Sequence, residues 1–76
     1  MFFKRKKMIV SIDGINDDGE KRIEDVLEGL ADVIKVKVYL NKKCIVITYV
    51  NTLDEVLVQN KLEDLGYVVT GIKEKM

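Results

Sequence analysis

Four carboxylates stand close together near the start of this 76-residue chain: Asp13, Asp17, Asp18 and Glu20. Carboxylate oxygens bind hard cations such as Mg²⁺, Ca²⁺ or Mn²⁺. The ligand spacing of an EF-hand is not present, so a site here would be weak and irregular. The pattern therefore predicts, at most, weak divalent-cation binding through Asp17, Asp18 and Glu20.

The same acids are also typical of a helix start. Asp17 is a good N-cap residue, and Glu20 stands three residues later, where a capping box has its glutamate. Negative charge in the first turn interacts favourably with the helix dipole and stabilises the helix by about 0.3–1 kcal/mol per charge. Between the two interpretations we favour capping. We expect no cofactor, and a weakly bound divalent cation is the alternative.

The inventory of reactive side chains is short, because the chain has no histidine and one cysteine, Cys44. Four-ligand zinc frameworks of cysteine and histidine cannot be assembled from it. Nucleophile activation by an imidazole base is excluded as well. We therefore expect a protein that is not an enzyme. Since one cysteine forms no intramolecular disulfide, a reducing, cytoplasmic compartment is expected.

Charge is balanced overall but unevenly spread. Thirteen basic and thirteen acidic residues give a net charge of zero, which argues against a dedicated nucleic-acid binder. Residues 11–32 contain eight acids and two bases, whereas residues 33–51 contain four lysines and no acid. Such a dipolar domain is suited to docking a charge-complementary protein. The basic run at residues 4–7 is interpreted as a solvated tail rather than a lipid contact, and no apolar run is long enough to span a membrane.

Segments whose apolar residues recur every two positions alternate along the chain with segments in which they recur about every 3.6 positions. Strands are predicted at about 8–13, 33–40, 44–49 and 67–72. Two amphipathic helices lie between them, and Thr52 with Glu55 predicts a capping box for the second. Gly66 is expected to end that helix. The predicted apolar faces are Ile23, Val26, Leu27 and Leu30 in the first helix, and Leu53, Val56, Leu57, Leu62 and Leu65 in the second.

The order β-α-β-β-α-β predicts an α+β, ferredoxin-like fold, with two helices on one face of a four-stranded antiparallel sheet. Residues 1–76 are expected to form a single domain with an ordered core of about 8–73.

Cys44 begins the third strand, so we expect it on the open sheet face and remote from the loop at residues 14–20. An RNA-binding domain on the same plan would need aromatics at central outward positions. Those positions hold Ile9, Ser11, Val46 and Thr48.

Four segments carry a specific pattern: Val10-x-Ile12-x-Gly14-Ile15, Val33-x-x-Val36-x-Val38-x-Leu40, Ile45-x-Ile47-x-Tyr49 and Leu62-Glu63-Asp64-Leu65-Gly66-Tyr67-x-Val69. Together they resemble the heavy-metal-associated (HMA) domain of copper chaperones and soft-metal P-type ATPases. The resemblance covers roughly residues 8–72. It implies a partner such as a metal-transporting ATPase or a related protein domain, recognised through opposed charge.

The family's metal motif is Gly-Met-x-Cys-x-x-Cys, and the resemblance places Gly14 at its glycine. Ile15 then stands at the methionine, Asp17 at the first cysteine and Glu20 at the second. Soft sulfur ligands select Cu(I), so oxygen ligands would hold that ion poorly. The resemblance also implies that Tyr67 lies beside this loop, packed with Ile15. We therefore expect an HMA-like domain with a degenerate metal site, acting as a docking or regulatory module.

Overall fold

Two β-α-β units of similar length make up the fold. The computed structural model describes residues 4–14 and 19–75, in which the helices and strands are β1 (Lys6–Asp13), α1 (Gly19–Glu28), β2 (Val33–Tyr39), β3 (Cys44–Tyr49), α2 (Glu55–Asp64) and β4 (Val68–Lys75). A 3-10 turn at Leu40–Lys42 joins β2 to β3. The predicted order of elements is confirmed.

The four strands form one antiparallel sheet in the order β2-β3-β1-β4. Each β-α-β unit therefore places its two strands on either side of a strand from the other unit, which is the ferredoxin-like arrangement. The predicted fold class is confirmed. Pairing extends further than the expected core of 8–73, because β1 starts at Lys6 and Lys7 pairs with Lys75 on β4.

One face of the sheet is covered by both helices. Side chains alternate along β1 and β3, so every second residue points to the helical layer. The fully buried side chains of this core form one cluster, to which β1, β3 and both helices contribute: Met8, Val10, Ile12, Ile23, Leu27, Ile45, Ile47, Val58 and Leu62. Burying a side chain of this size stabilises the fold by about 1.5–3 kcal/mol. The opposite face carries no helix among the described residues.

Helix α2 begins at a different residue from the one that its sequence predicts. The N-cap is Asp54, whose carboxylate accepts a 2.9 Å hydrogen bond from the backbone N–H of Val56. Thr52 is therefore not the cap, and the predicted capping box with Glu55 is wrong. Asp54 satisfies the same requirement for an acceptor at the helix start, only two residues later.

The predicted apolar face of α2 is also partly wrong. Val58 and Leu62 are fully buried, whereas Val56 is 62% exposed and Leu57 is 40% exposed. The error comes from Leu53, which is buried but precedes the helix and so has no place in its 3.6-residue period. Spacing counted from Leu53 selects the residues three and four positions later. The true stripe starts at Val58.

The end of α2 follows its prediction. Gly66 has φ +98°, in the left-handed region that glycine tolerates. The N–H of Gly66 donates to the carbonyl of Glu63 at 2.9 Å, and the N–H of Tyr67 donates to that of Leu62 at 3.1 Å. This pair of hydrogen bonds is a Schellman motif, which satisfies the last helical carbonyls and turns the chain into β4.

Cys44 lies elsewhere than predicted. It pairs with Ser11 on β1, three residues before Gly14, so it is not remote from the loop that follows β1. The reason is the antiparallel pairing of β1 with β3, which places the start of β3 beside the end of β1. Its predicted orientation fits the burial pattern, since Ile45 and Ile47 are buried in the core while Cys44 is only half-buried.

Candidate functional site

The candidate loop leaves the sheet at Gly14. This residue has φ +89°, a conformation that side-chain-bearing residues rarely adopt. A methyl group added there would lie 3.9 Å from the carbonyl oxygen of Gly66 and 3.9 Å from Cδ1 of Tyr67, which are ordinary contact distances. The backbone conformation, rather than lack of space, therefore favours glycine at this position.

Tyr67 covers the start of the loop. Its side chain is 8% exposed and belongs to the hydrophobic core, and its ring is the neighbour of Gly14. The ring is positioned by the Schellman turn at Gly66, which directs the chain back over the end of β1. The ring thus lies beside the loop, as the resemblance implies. Ile15, its expected packing partner, lies outside the described residues.

Asp13, the last residue of β1, faces a lysine from the β2–β3 turn. Its carboxylate lies 3.9 Å from Nζ of Lys43, and both side chains are more than half exposed. An ion pair of this kind contributes little to stability, at most about 1 kcal/mol. A backbone hydrogen bond of 2.9 Å from Ile12 N–H to the carbonyl of Lys43 holds the two segments together more firmly.

Of the three predicted ligands, Glu20 is the one that lies within the described residues. It is the second residue of α1 and is half-buried. Its side chain lines an open depression together with the end of β2 and the turn that follows: Val38, Tyr39, Leu40, Asn41 and Lys42. Nζ of Lys42 lies 5.9 Å from the centre of the Tyr39 ring, within cation–π range. The depression is thus lined by one acidic and one basic residue, Glu20 and Lys42.

Asp17 and Asp18, the other two predicted ligands, lie outside the described residues, and so does the predicted N-cap role of Asp17. Within residues 4–14 and 19–75, no group of three or more Asp, Glu, Cys or His side chains is placed to hold a metal ion. Metal binding and helix capping by these acids therefore both stay predictions.

A set of basic residues was only partly visible from the sequence. The sequence places Lys35, Lys37, Lys42 and Lys43 in one basic segment, residues 33–51, and strand pairing brings Lys7, Lys73 and Lys75 to the sheet face of Lys35 and Lys37. The signal within each strand was the alternation of lysine with apolar residues. What the sequence alone did not show is that β1, β2 and β4 bring these lysines together.

Comparison with solved structures identifies the fold. The CopZ metallochaperone matches with a TM-score of 0.77 at 19% identity, over 84% of this chain and 98% of its own. The water-soluble region of the P-type ATPase CopA from Bacillus subtilis matches with a TM-score of 0.80 at 25% identity, over 91% of this chain and 47% of its own. A copper binding domain from HMA7, a P-type ATPase, matches with a TM-score of 0.74 at 19% identity, over 90% of this chain and 97% of its own.

The chain has an HMA-like fold. The HMA-like chain spans about half of the CopA region and nearly all of CopZ and of the HMA7 domain. No protein-family model matches its sequence, and no curated protein does. In the part of the chain that the structure describes, no helix is long and apolar enough to cross a membrane.

Proposed function

We propose that this HMA-like chain is a non-enzymatic docking or regulatory module in metal-transport-related interactions, working in the cytoplasm. The observation that carries the proposal is its fold, which it shares with a metallochaperone and with domains of P-type ATPases over 84–91% of its length. A shared fold places helices and strands in equivalent positions, although the surface side chains that meet a partner differ at 19–25% identity. The partner that we propose is a soluble domain of a metal-transporting ATPase.

The same proposal holds that the module's own soft-metal site is degenerate. Asp17 and Glu20 stand where the resembled family has its two cysteines, and Cu(I) selects soft sulfur ligands over oxygen. The only thiol of the chain belongs to Cys44, which lies at the start of β3 rather than in the loop between β1 and α1. The loop therefore has no cysteine that could supply a thiolate ligand.

The acidic side of α1 is the surface that we expect to dock. Asp25 and Glu28 are exposed on this helix, and Glu24 is half-buried beside them. Opposed charge across an interface raises the association rate and fixes orientation. A basic surface on the partner would therefore meet the C-terminal half of α1.

A titration of the ¹⁵N-labelled protein with the water-soluble region of a copper-transporting P-type ATPase tests the docking role. We expect amide shifts concentrated in α1 and residues 14–22. Asp25→Asn with Glu28→Gln should weaken binding about tenfold, roughly the effect expected for losing two rim charges. The matched control, Glu63→Gln with Asp64→Asn on α2, should leave it unchanged. Shifts confined to α2, or none at all, would refute the docking role.

The alternative is weak divalent-cation binding through Asp17, Asp18 and Glu20. One observation counts against it, because Lys42 lines the same depression as Glu20. An ammonium group close to the carboxylates lowers their attraction for a cation. Addition of Mn²⁺ checks the alternative: selective broadening of amides 14–22 at low metal concentration would support it, and uniform weak broadening would not.

A further inference from the structure

The face of the sheet that the helices leave open carries five lysines, contributed by three of the four strands. Residues directly opposite each other in an antiparallel pair point to the same side of the sheet. The register therefore gives two rows across the strands: Lys35, Thr48, Lys7 and Lys75 in one, and Lys37, Val46, Ile9 and Lys73 in the next. We call Lys7, Lys35, Lys37, Lys73 and Lys75 the lysine face.

All five side chains of the lysine face are exposed. The one ion pair found among residues 4–14 and 19–75 joins Lys43 to Asp13, so it involves none of them. Asp13 is the acid that shares this side of the sheet, at its far end, and its charge is already opposed by Lys43. The lysine face is therefore a region of uncompensated positive charge on a chain whose net charge is zero.

This arrangement carries an electrostatic cost in the free protein. Lys7 lies directly opposite Lys75, and like charges in such a pair are destabilising. Lys73 and Lys37 occupy the two edge strands of the next row, too far apart to repel each other strongly, so the cost is concentrated at Lys7 and Lys75. A bound polyanion would remove this repulsion, whereas solubility alone would be served as well by mixed charge.

The shape of the face indicates which polyanion fits. Single-stranded nucleic acid would need aromatic platforms for its bases, but the centre of the face holds Ile9 and Val46. The lysines spread over two dimensions instead of following one track. Towards the N-terminus the chain continues with Arg5 and Lys4, preceded in sequence by Phe3 and Phe2. Basic residues next to aromatic ones are typical of segments that lie at a lipid surface.

We propose that the lysine face binds the surface of an anionic lipid bilayer, which replaces the solvated tail expected for residues 4–7 with a lipid contact. Acidic lipid headgroups would neutralise the lysines, while Ile9 and Val46 lie at the centre of the contact. The sheet would then lie against the headgroups, and α1 and α2, which carry the acids, would point away. The proposal does not depend on the docking function, although it would leave the acidic side of α1 free for a protein partner.

Sedimentation with lipid vesicles tests the proposal without any protein partner. The protein should bind phosphatidylcholine vesicles that contain phosphatidylserine, should not bind phosphatidylcholine alone, and should be released by salt, which screens the attraction. Each lysine near an anionic surface contributes about a fivefold gain in partitioning. The variant Lys37→Gln/Lys73→Gln/Lys75→Gln should therefore bind about 100-fold more weakly.

A charge-matched control separates the lysine face from net charge. Lys21→Gln/Arg22→Gln/Lys61→Gln removes the same three charges from the helical side, where α1 and α2 carry these residues. Its binding to the acidic vesicles should weaken by less than about fivefold, because those residues lie away from the lipid. Circular dichroism and thermal unfolding would verify that both variants fold.

Several outcomes would overturn the proposal. Equal loss in the two variants would assign binding to net charge, and equal binding to neutral and acidic vesicles would remove the role of the lysines. Tighter binding of single-stranded RNA than of acidic vesicles would assign the face to nucleic acid. Salt-sensitive self-association, with the acidic helices of a second copy on the lysine face and no vesicle binding, would assign it to a protein contact.

Discussion

The phenol of Tyr49 donates a 2.6 Å hydrogen bond to Oε1 of Glu74, and the bond passes over the helical side of β1. Tyr49 is the last residue of β3 and is 3% exposed. Glu74 lies near the end of β4, where it pairs with Met8 on β1. The bond links the two strands that flank β1. Glu74 itself is exposed, although Met8, its neighbour on this side of the sheet, is fully buried.

Alkaline unfolding should report this bond. Burial, followed by the hydrogen bond and the negative charge of Glu74, raises the pKa of Tyr49 from 10.0 to about 12. The folded state therefore keeps its proton where the unfolded state loses it. The stabilisation is present in full below pH 10.0 and is lost as the pH rises towards about 12. Denaturant unfolding across this window should show a steeper fall in stability for the wild type than for Tyr49→Phe. Identical slopes would contradict the assignment.

At neutral pH the bond should be measurable by a double-mutant cycle. Tyr49→Phe and Glu74→Ala should each cost about 1 kcal/mol, since a hydrogen bond to a charged group is worth more than a neutral one but Glu74 stays in contact with water. The double variant should cost less than the sum of the two singles, because both remove one interaction. Strict additivity would show that the bond contributes nothing.

Replacement of Gly66 tests the turn that positions Tyr67. Its φ of +98° is unfavourable for a residue with a side chain, so Gly66→Ala should cost about 1–2 kcal/mol. Gly71→Ala is the matched control, because an added methyl group there has open space and no left-handed backbone. Its unfolding free energy should change by less than about 0.5 kcal/mol. Equal losses in the two variants would remove the special role of Gly66.

Two valines of α2 test which side of the helix is buried. Val58 is fully buried, and Val58→Ala should cost about 1.5–3 kcal/mol. Val56 is 62% exposed, so Val56→Ala should change stability by less than about 0.5 kcal/mol. Thermal or urea unfolding of the pair gives the comparison directly. The reverse order of losses would support the face predicted from Leu53.

The sequence was informative where a pattern is local. Alternation in β1 and β3, and the glycine after α2, follow from backbone chemistry that acts within a few residues. It misled where a buried residue lies outside the periodic element, as Leu53 does before α2. It also misplaced Cys44, because proximity to the loop depends on the pairing of β1 with β3 rather than on distance along the chain.

The candidate site likewise has features that the sequence predicted and features that it did not. The contact between Gly14 and Tyr67 agrees with the family resemblance, and Glu20 lies in the first turn of α1 as expected for a helix-start acid. The lysine face could not be recognised, since Lys7 and Lys75 stand at opposite ends of the sequence and meet only through strand pairing. Charge totals hide such a feature, because acids on the helices cancel it.

Cu(I) affinity, measured by competition with a chromophoric chelator, tests the central claim most directly. The claim is an HMA-like fold whose metal ligands have been replaced. The wild type should not compete for Cu(I), whereas Asp17→Cys/Glu20→Cys should bind one ion tightly, because two thiolates are then held at the family's positions. Asn60→Cys/Glu63→Cys, with the same spacing on the exposed surface of α2, is the control and should bind more weakly. Tight binding of Cu(I) by the wild type, or a folded Asp17→Cys/Glu20→Cys variant that binds no better than the control, would contradict the claim.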